Sequence, residues 1–224
     1  MATELKILYF ILIIVISYLL GAIPNGLILG KIFKHIDIRD YGSHNSGGTN
    51  AGRVLGYKLG LATIVLDALK IIFPFWVMQL IASLTNVDAT TASNFCYVAL
   101  LVACLGHCFP IYCHFRGGKA VSTFIGCLIA TNYLYAIIFS TIFAIVLIKK
   151  RYVSLASIIA ALGVAIIAIL MFNIDSNLGL WSSLIPSVMY PLIIALNAIL
   201  LINRHQANIF RLIKGTEPKI KWLK

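Results

Sequence analysis

The stretch AVSTFIGCLIATNYLYAIIFSTIFAIVLI, Ala120 to Ile148, decides how many times this chain crosses a membrane. It runs for 29 positions without one charged residue. As a single helix it would be about 44 Å long, against a hydrocarbon layer of about 30 Å. Asn132 and Tyr133 stand midway along it. One tilted span and two short helices meeting at Asn132 both fit the length, so the charges on either side have to choose.

Outward from that block lie five more apolar runs, Ile7 to Pro24, Leu59 to Ser83, Phe95 to Cys113, Val153 to Phe172 and Trp181 to Ile202. The whole chain of 224 residues is 61% hydrophobic and 11% charged, where soluble domains carry about 25% charged residues. A water-soluble globule is excluded, and no linker or separate aqueous domain fits between the runs. The first run follows only Glu4 and Lys6 and lacks an Ala-x-Ala cleavage pattern, so it reads as a retained helix and not a signal peptide.

Of the 18 Lys and Arg, five (Lys31, Lys34, Arg39, Arg53, Lys58) fall between the first and second runs. Arg116 and Lys119 follow the third, Lys149, Lys150 and Arg151 follow the long block, and the remaining tail residues run from Arg204 to Lys224. If the long block is two helices, every basic residue except Lys6 and Lys70 lies on one side. The positive-inside rule then selects seven transmembrane helices, with the amino terminus outside and the carboxyl terminus cytoplasmic. The expected architecture is a single all-α integral membrane domain over 1–224, with spans near 7–30, 59–83, 95–113, 120–131, 133–148, 153–172 and 181–202. The net charge of +11 follows from the same bias and from anionic lipid headgroups, so it gives no case for nucleic acid.

Polarity gathers in three clusters on the expected cytoplasmic side, and buried polar groups at membrane depth point to function by default. The first runs Gly42-Ser-His-Asn-Ser-Gly-Gly-Thr-Asn-Ala-Gly-Arg53. Its glycines permit close backbone approach, Ser43, Asn45, Ser46, Thr49 and Asn50 offer donors at a helix start, and Arg53 adds a planar fork suited to phosphate or carboxylate. Read without function, it is a turn capping a helix, with Arg53 among the headgroups. Gly48, Gly52, Gly56 and Gly60 recur every four residues, a stripe suited to packing on a neighbouring helix.

The second cluster joins Gly106-His-Cys-Phe-Pro110 to Phe115-Arg-Gly-Gly-Lys119. Paired glycines and a lysine ahead of a helix have the logic of a phosphate cradle, although Cys113 and Ala120 rule out a Walker A loop. A positive-inside turn is the alternative for Arg116 and Lys119, and His107 either bonds a loop carbonyl or serves chemistry. The third cluster is split: Ser154 and Ser157 share one face of a helix start, as do His205 and Asn208. Asp67 and Lys70, three apart inside the second run, are expected to neutralise each other as structural support. All five cysteines suggest buried thiols, and a metal set of Cys104, His107 and Cys108 lacks a sensible fourth ligand.

Taken together, Gly42-Ser…Asn45…Gly47…Thr49-Asn50…Arg53, Gly106-His-x-Phe-Pro110 with Phe115-x-Gly-Gly-Lys119, Arg151-Tyr-Val-Ser-Leu-x-Ser157, and His205-x-x-Asn208-Ile…Arg211-Leu…Gly215-Thr-Glu217 resemble the bacterial acyl-phosphate:glycerol-3-phosphate acyltransferases, the PlsY family. The resemblance runs nearly end to end. It implies a compact seven-span enzyme of the bacterial plasma membrane with its active site at the cytoplasmic face. The implied reaction moves a fatty acyl group from acyl phosphate to the 1-hydroxyl of sn-glycerol 3-phosphate, giving lysophosphatidic acid and inorganic phosphate in phospholipid synthesis. Carried over by motif, Ser43, Arg53, Lys119 and His205 are the expected catalytic residues. Asn45, Gly117, Gly118, Ser157 and Asn208 join them in binding substrate, and Glu217 is the structural carboxylate. No cofactor, metal or obligatory protein partner is implied beyond the two substrates and membrane lipids. The chain departs from the family pattern at His44 and Ala120, each in place of Gly, and at Gly48 in place of Ala.

An acyl phosphate is a mixed anhydride with a good leaving group, so no Ser-His-Asp set is required; alignment and charge stabilisation suffice. His205 either positions the attacking hydroxyl or takes its proton, which a substrate phosphate oxygen can also accept. His35 and Asp40 mimic the His-x4-Asp spacing of another acyltransferase superfamily, whose other motifs do not occur. A small anion transporter is the rival of a different class, but it would show internal repeats and helices interrupted at the midplane. A purely structural membrane subunit would leave the loop glycines and paired Ser, His and Asn unexplained.

Overall fold

The long block is two helices. In the computed structural model, which describes residues 3–84, 88–178 and 187–220, a helix ends at Thr131 and the next begins at Tyr133. Between them Asn132 is extended (φ −157°, ψ 105°), and its side chain accepts from the Leu134 N–H at 3.0 Å. Asparagine favours this local bond over continuing a helix, which is why the apolar run breaks there.

The described helices are α1 Thr3–Gly21, α2 Asn25–Lys34, α3 Gly48–Leu55, α4 Tyr57–Leu84, α5 Ala89–Cys108, α6 Val121–Thr131, α7 Tyr133–Lys150, α8 Val153–Leu178, α9 Met189–Arg204 and α10 Gln206–Ile213. Five stretches are long and apolar enough to cross a membrane: Leu8–Lys34, Tyr57–Leu84, Thr90–Cys113, Tyr133–Lys150 and Val153–Asn173. At the expected fourth and seventh spans stand the shorter apolar helices Val121–Thr131 and Met189–Arg204. The expected start of the last span, at residue 181, lies outside the described residues.

The chain forms two compact units, Met1–Ala130 and Thr131–Lys224. In the first, α1 packs on α4 and α5, α4 packs on α5, and α2 and α3 pack on each other and on α4. Large apolar side chains such as Leu69, Phe73, Trp76 and Leu80 face outward, while Ala99, Ala103, Cys104 and Asp67 are buried. This is the inverse of a soluble helix pair and suits a lipid surround. In the second unit α8 packs on α7 and α9, and α10 packs on α8 and α9. Ala156, Ala160, Val164 and Ala168 recur every four residues along α8 and are fully buried, so small side chains allow close approach.

One expectation needs correcting. The first apolar run is not one helix over 7–30: α1 stops at Gly21 and α2 restarts at Asn25. Pro24 has no N–H to continue the ladder, and its carbonyl instead starts the next helix by accepting from Leu27 and Ile28, each at 3.0 Å. The glycine stripe does pack helix on helix, and it does so between two consecutive helices, α3 and α4. Gly56 adopts φ +97°, conformational space that suits glycine, and turns α3 back onto α4. A Cβ on Gly60 would overlap the Gly52 Cα, and one on Gly48 would overlap the Ile64 side chain. The stripe therefore makes a backbone-to-backbone seam between consecutive helices.

Candidate active site

The segment ahead of α3 is organised by Asn50. Buried in the first turn of α3, its Oδ1 accepts from the Ser43 N–H at 2.7 Å and the Ser43 hydroxyl at 3.2 Å. Its Nδ2 donates to the carbonyls of Ile38 and Asn45, both at 2.8 Å, and of Tyr41 at 3.2 Å. One amide thus ties five points of the loop, fixing Ser43 close to the amino end of α3. Asn45 accepts from the Gly47 N–H at 2.9 Å through Oδ1, which sets the entry into the helix. Arg53 is exposed on α3, one turn beyond Asn50, and among the described residues it has no carboxylate partner. Upstream, Asp37 accepts four bonds from Arg39, three from its guanidinium and one from its N–H, at 2.7 to 3.1 Å. Those bonds outweigh its partial burial and hold the Asp37 carboxyl below the usual range.

The glycine-lysine segment reaches the same place from the other direction. Asn45 Nδ2 donates to the Gly117 carbonyl at 3.5 Å, so the two loops adjoin within the first unit. Gly117 and Gly118 are buried, and neither tolerates a side chain: a Cβ on Gly117 would overlap the His107 carbonyl, and one on Gly118 would overlap the His107 imidazole. The Gly118 N–H donates to the His107 carbonyl at 3.1 Å. Lys119 follows, half-buried, and Ala120 has φ +61°. Alanine therefore keeps the left-handed conformation that glycine would adopt freely, at a cost of about 1 kcal/mol. The departure at Ala120 leaves the backbone path after Lys119 intact.

Beneath this loop lies a buried polar group drawn from three helices. Lys70 Nζ donates to the Ile23 carbonyl at 2.7 Å and forms an ion pair with Asp67 Oδ1 at 2.9 Å. Its third contact is His107 Nδ1 at 3.1 Å. Asp67 Oδ1 also accepts from Asn25 Nδ2 at 3.0 Å. The carbonyl freed by the break before α2 is thus satisfied by Lys70, and Asp67 and Lys70 pair as their spacing suggested. The His107 ring faces Lys70, because a lysine has three donors and the third needs an acceptor in this buried place.

In the second unit Glu217 is the hub. Its Oε1 accepts from Ser154 Oγ at 2.6 Å and Asn208 Nδ2 at 2.7 Å, and its Oε2 accepts from Arg211 Nε at 2.7 Å. Burial pushes this carboxyl up, but the bonds from Ser154, Asn208 and Arg211 prevail and hold it below the usual carboxylate range. The hub sets Asn208 in the first turn of α10. His205, buried at the junction of α9 and α10, donates from Nδ1 to the Leu201 carbonyl at 2.8 Å. In neutral His205 the proton is then on Nδ1 and Nε2 is an acceptor. Ser157 donates to the Val153 carbonyl at 2.9 Å, which leaves its oxygen lone pairs to accept.

Ser43, Asn45, Gly117, Gly118 and Lys119 are therefore brought close in the first unit, with Arg53 on the helix that Ser43 precedes. His205, Asn208 and Glu217 are brought close in the second. Sequence reading placed Asn50 among the donors but missed its organising role; an Asn just after paired glycines at a helix start is the signal. Asn25 and the His107–Lys70 contact have no local signal, since 37 positions separate the latter pair. His35 and Asp40 are both exposed and make no dyad. Among the described residues, no group of three His, Cys, Asp or Glu side chains is set to hold a metal ion, and the five cysteines are buried and outside any disulfide.

Known proteins resemble this chain over nearly its whole length. A family model described as glycerol-3-phosphate acyltransferase matches residues 11–215. The glycerol-3-phosphate acyltransferase of Staphylococcus haemolyticus (strain JCSC1435) is 39% identical over 219 residues, covering 95% of this chain and 98% of that one. Its counterpart in Staphylococcus aureus (strain Newman) is 38% identical with the same coverage. Among solved structures, the glycerol 3-phosphate form of PlsY (YgiH), an integral membrane glycerol 3-phosphate acyltransferase, superposes with a TM-score of 0.78 at 30% identity over 96% of each chain. The lysophosphatidic acid form of that protein gives 0.77 at 29% identity, again over 96% of each.

Proposed function

The chain belongs to the glycerol-3-phosphate acyltransferase family, and from that premise we propose that it transfers a fatty acyl group from acyl phosphate to the 1-hydroxyl of sn-glycerol 3-phosphate. The products are lysophosphatidic acid and inorganic phosphate. It is a multi-pass membrane enzyme of lipid synthesis, and we place its reaction at the cytoplasmic face of a bacterial plasma membrane. The observation that carries the reading is the pair of anion-suited loops that Asn50 and the Asn45–Gly117 contact hold together.

In this reading Arg53 and Lys119 hold substrate phosphate, and Gly117 and Gly118 shape the loop that presents Lys119 to it. Ser43, Asn45, Ser157 and Asn208 fix the glycerol backbone. The 1-hydroxyl oxygen attacks the acyl carbonyl carbon, and the bond from that carbon to the bridging phosphate oxygen breaks with its electron pair leaving on phosphate. Lys119 and Arg53 offset the negative charge that develops. His205 Nε2, kept an acceptor by the Leu201 carbonyl on the other nitrogen, aligns the hydroxyl, whose proton passes to a phosphate oxygen. Asp67, Lys70 and Glu217 support these groups without touching substrate.

The topology belongs to the same proposal. Seven crossings, with the amino terminus outside and the carboxyl terminus inside, put nearly all basic residues in the cytoplasm. With 11 residues α6 rises about 16 Å, roughly half the hydrocarbon layer, so the glycine segment ahead of it dips into the membrane. Non-helical backbone is tolerated at that depth when protein buries it, as it does Gly117 and Gly118. Purified protein given acyl phosphate and glycerol 3-phosphate should yield lysophosphatidic acid; no product would exclude the enzyme. Single cysteines at residues 43, 119 and 205 should all react with impermeant reagents from the cytoplasmic side alone.

A further inference from the structure

We propose that Asp67, Lys70 and His107 form a positioning device for the phosphate-holding segment, with the His107 imidazole as the template on which the Gly117–Gly118 backbone is set. The inference rests on the function proposed above and adds residues to its site. Satisfying the broken first helix requires only two of the three groups: Lys70 reaches the Ile23 carbonyl at 2.7 Å, and Asp67 neutralises it while holding Asn25. His107 accepts the remaining Lys70 donor, a task any buried acceptor could perform. What only its ring does lies on the other side, where it fills the volume a side chain on Gly118 would need.

The chain of contacts is continuous. Lysine has donors only, so the Lys70 Nζ to Nδ1 contact at 3.1 Å makes Nδ1 the acceptor and leaves the ring proton on Nε2. The 3.8 Å approach of Nδ1 to Asp67 is then a by-product of sharing Lys70 and not an ion pair. Ring orientation is thereby fixed from the Lys70 side. On the loop side the main chain of the same residue accepts from the Gly118 N–H at 3.1 Å, while its carbonyl lies where a Cβ of Gly117 would stand. Both glycines are thus held by one residue, directly before Lys119. A shift of the ring moves the glycine backbone and with it the lysine proposed to meet phosphate, so these residues act through the loop and not on substrate.

A double-mutant cycle between His107 and Gly118 tests this, with glycerol 3-phosphate KM and kcat measured alongside its dissociation constant by calorimetry. His107→Ala should raise KM and the dissociation constant about tenfold while kcat changes less than about threefold. Gly118→Ala should do the same, because the new methyl displaces the ring. The double variant should be no worse than the poorer single one, since removing the imidazole makes room for the methyl. His107→Asn, which keeps an acceptor for Lys70 but leaves Gly118 uncovered, should match His107→Ala. Multiplying losses in the double variant, or an unchanged KM in both His107 variants, would overturn the proposal. So would loss of folded protein in both, because a positioning role leaves the fold intact. Failure of the wild-type protein to acylate glycerol 3-phosphate would instead remove the proposed reaction, and calorimetry would still decide the positioning role.

Discussion

Replacing Glu217 by alanine should unlock α10 and the segment after it. The carboxylate accepts from two buried donors, Ser154 Oγ at 2.6 Å and Asn208 Nδ2 at 2.7 Å, and from the more exposed Arg211 at 2.7 Å. Charge-assisted bonds to buried donors contribute about 1.5 to 3 kcal/mol each. The Arg211 pair, 38% exposed on the arginine side, adds less than about 1 kcal/mol. The local loss is therefore about 3 to 6 kcal/mol, and each 1.4 kcal/mol is about tenfold in an opening equilibrium. Hydrogen exchange in detergent should show α10 amides exchanging at least about a hundredfold faster, with α1 and α5 unchanged. Glu217→Gln supplies the control. Ser154 and Asn208 share Oε1, so a glutamine can present its oxygen to both, while its NH2 cannot accept from Arg211, which must turn to solvent. It should accelerate exchange clearly less than alanine does. Equal acceleration by Ala and Gln, or none by Ala, would show that Glu217 does not hold the tail in this way.

The same carboxyl predicts a pH dependence. Its folded value is depressed, so its contribution is complete above the unfolded value of about 4.3 and is lost as pH falls through the folded one. Thermal midpoints of the wild type should drop on acidification below about pH 5, and those of Glu217→Gln should drop less. If Arg53 and Lys119 hold phosphate as proposed, Arg53→Ala and Lys119→Ala should each lose a charge-assisted contact of about 1.5 to 3 kcal/mol and raise the glycerol 3-phosphate KM about ten- to hundredfold or abolish turnover. Unchanged kinetics in a folded variant would reject the phosphate assignment. Gly60→Ala sets a methyl onto the Gly52 Cα, where only backbone can yield, and should cost about 1 to 3 kcal/mol in a melting experiment.

What was legible in the sequence was whatever rests on local chemistry. Asn132 ends α6 because its own side chain bonds the next turn, and the placement of the basic residues selects two helices there before any coordinate is seen. The Asp67–Lys70 pair is likewise read from a spacing of three. The break before α2 had its signal in Pro24, but the uniform hydropathy around it masked that signal. The fold-back at Gly56 was hidden because a glycine every four residues describes one straight helix as well as two apposed ones; only the positive φ of one member separates them. Asn50 and His107 were the furthest from reach. Their roles depend on partners brought in by packing, and no spacing along the chain encodes which amide will gather five loop groups or which imidazole will lie over Gly118.

The seam between α3 and α4 has a mechanical consequence. Where Gly52 meets Gly60 there are no side chains whose rotamers can slip, so the two helices move as one stiff lever. A bilayer that thins, thickens or changes its lateral pressure can tilt that lever, but it cannot slide Ser43 and Arg53 past the helix that carries Asp67 and Lys70. Affinity for glycerol 3-phosphate should thus stay nearly constant across lipids of different chain length.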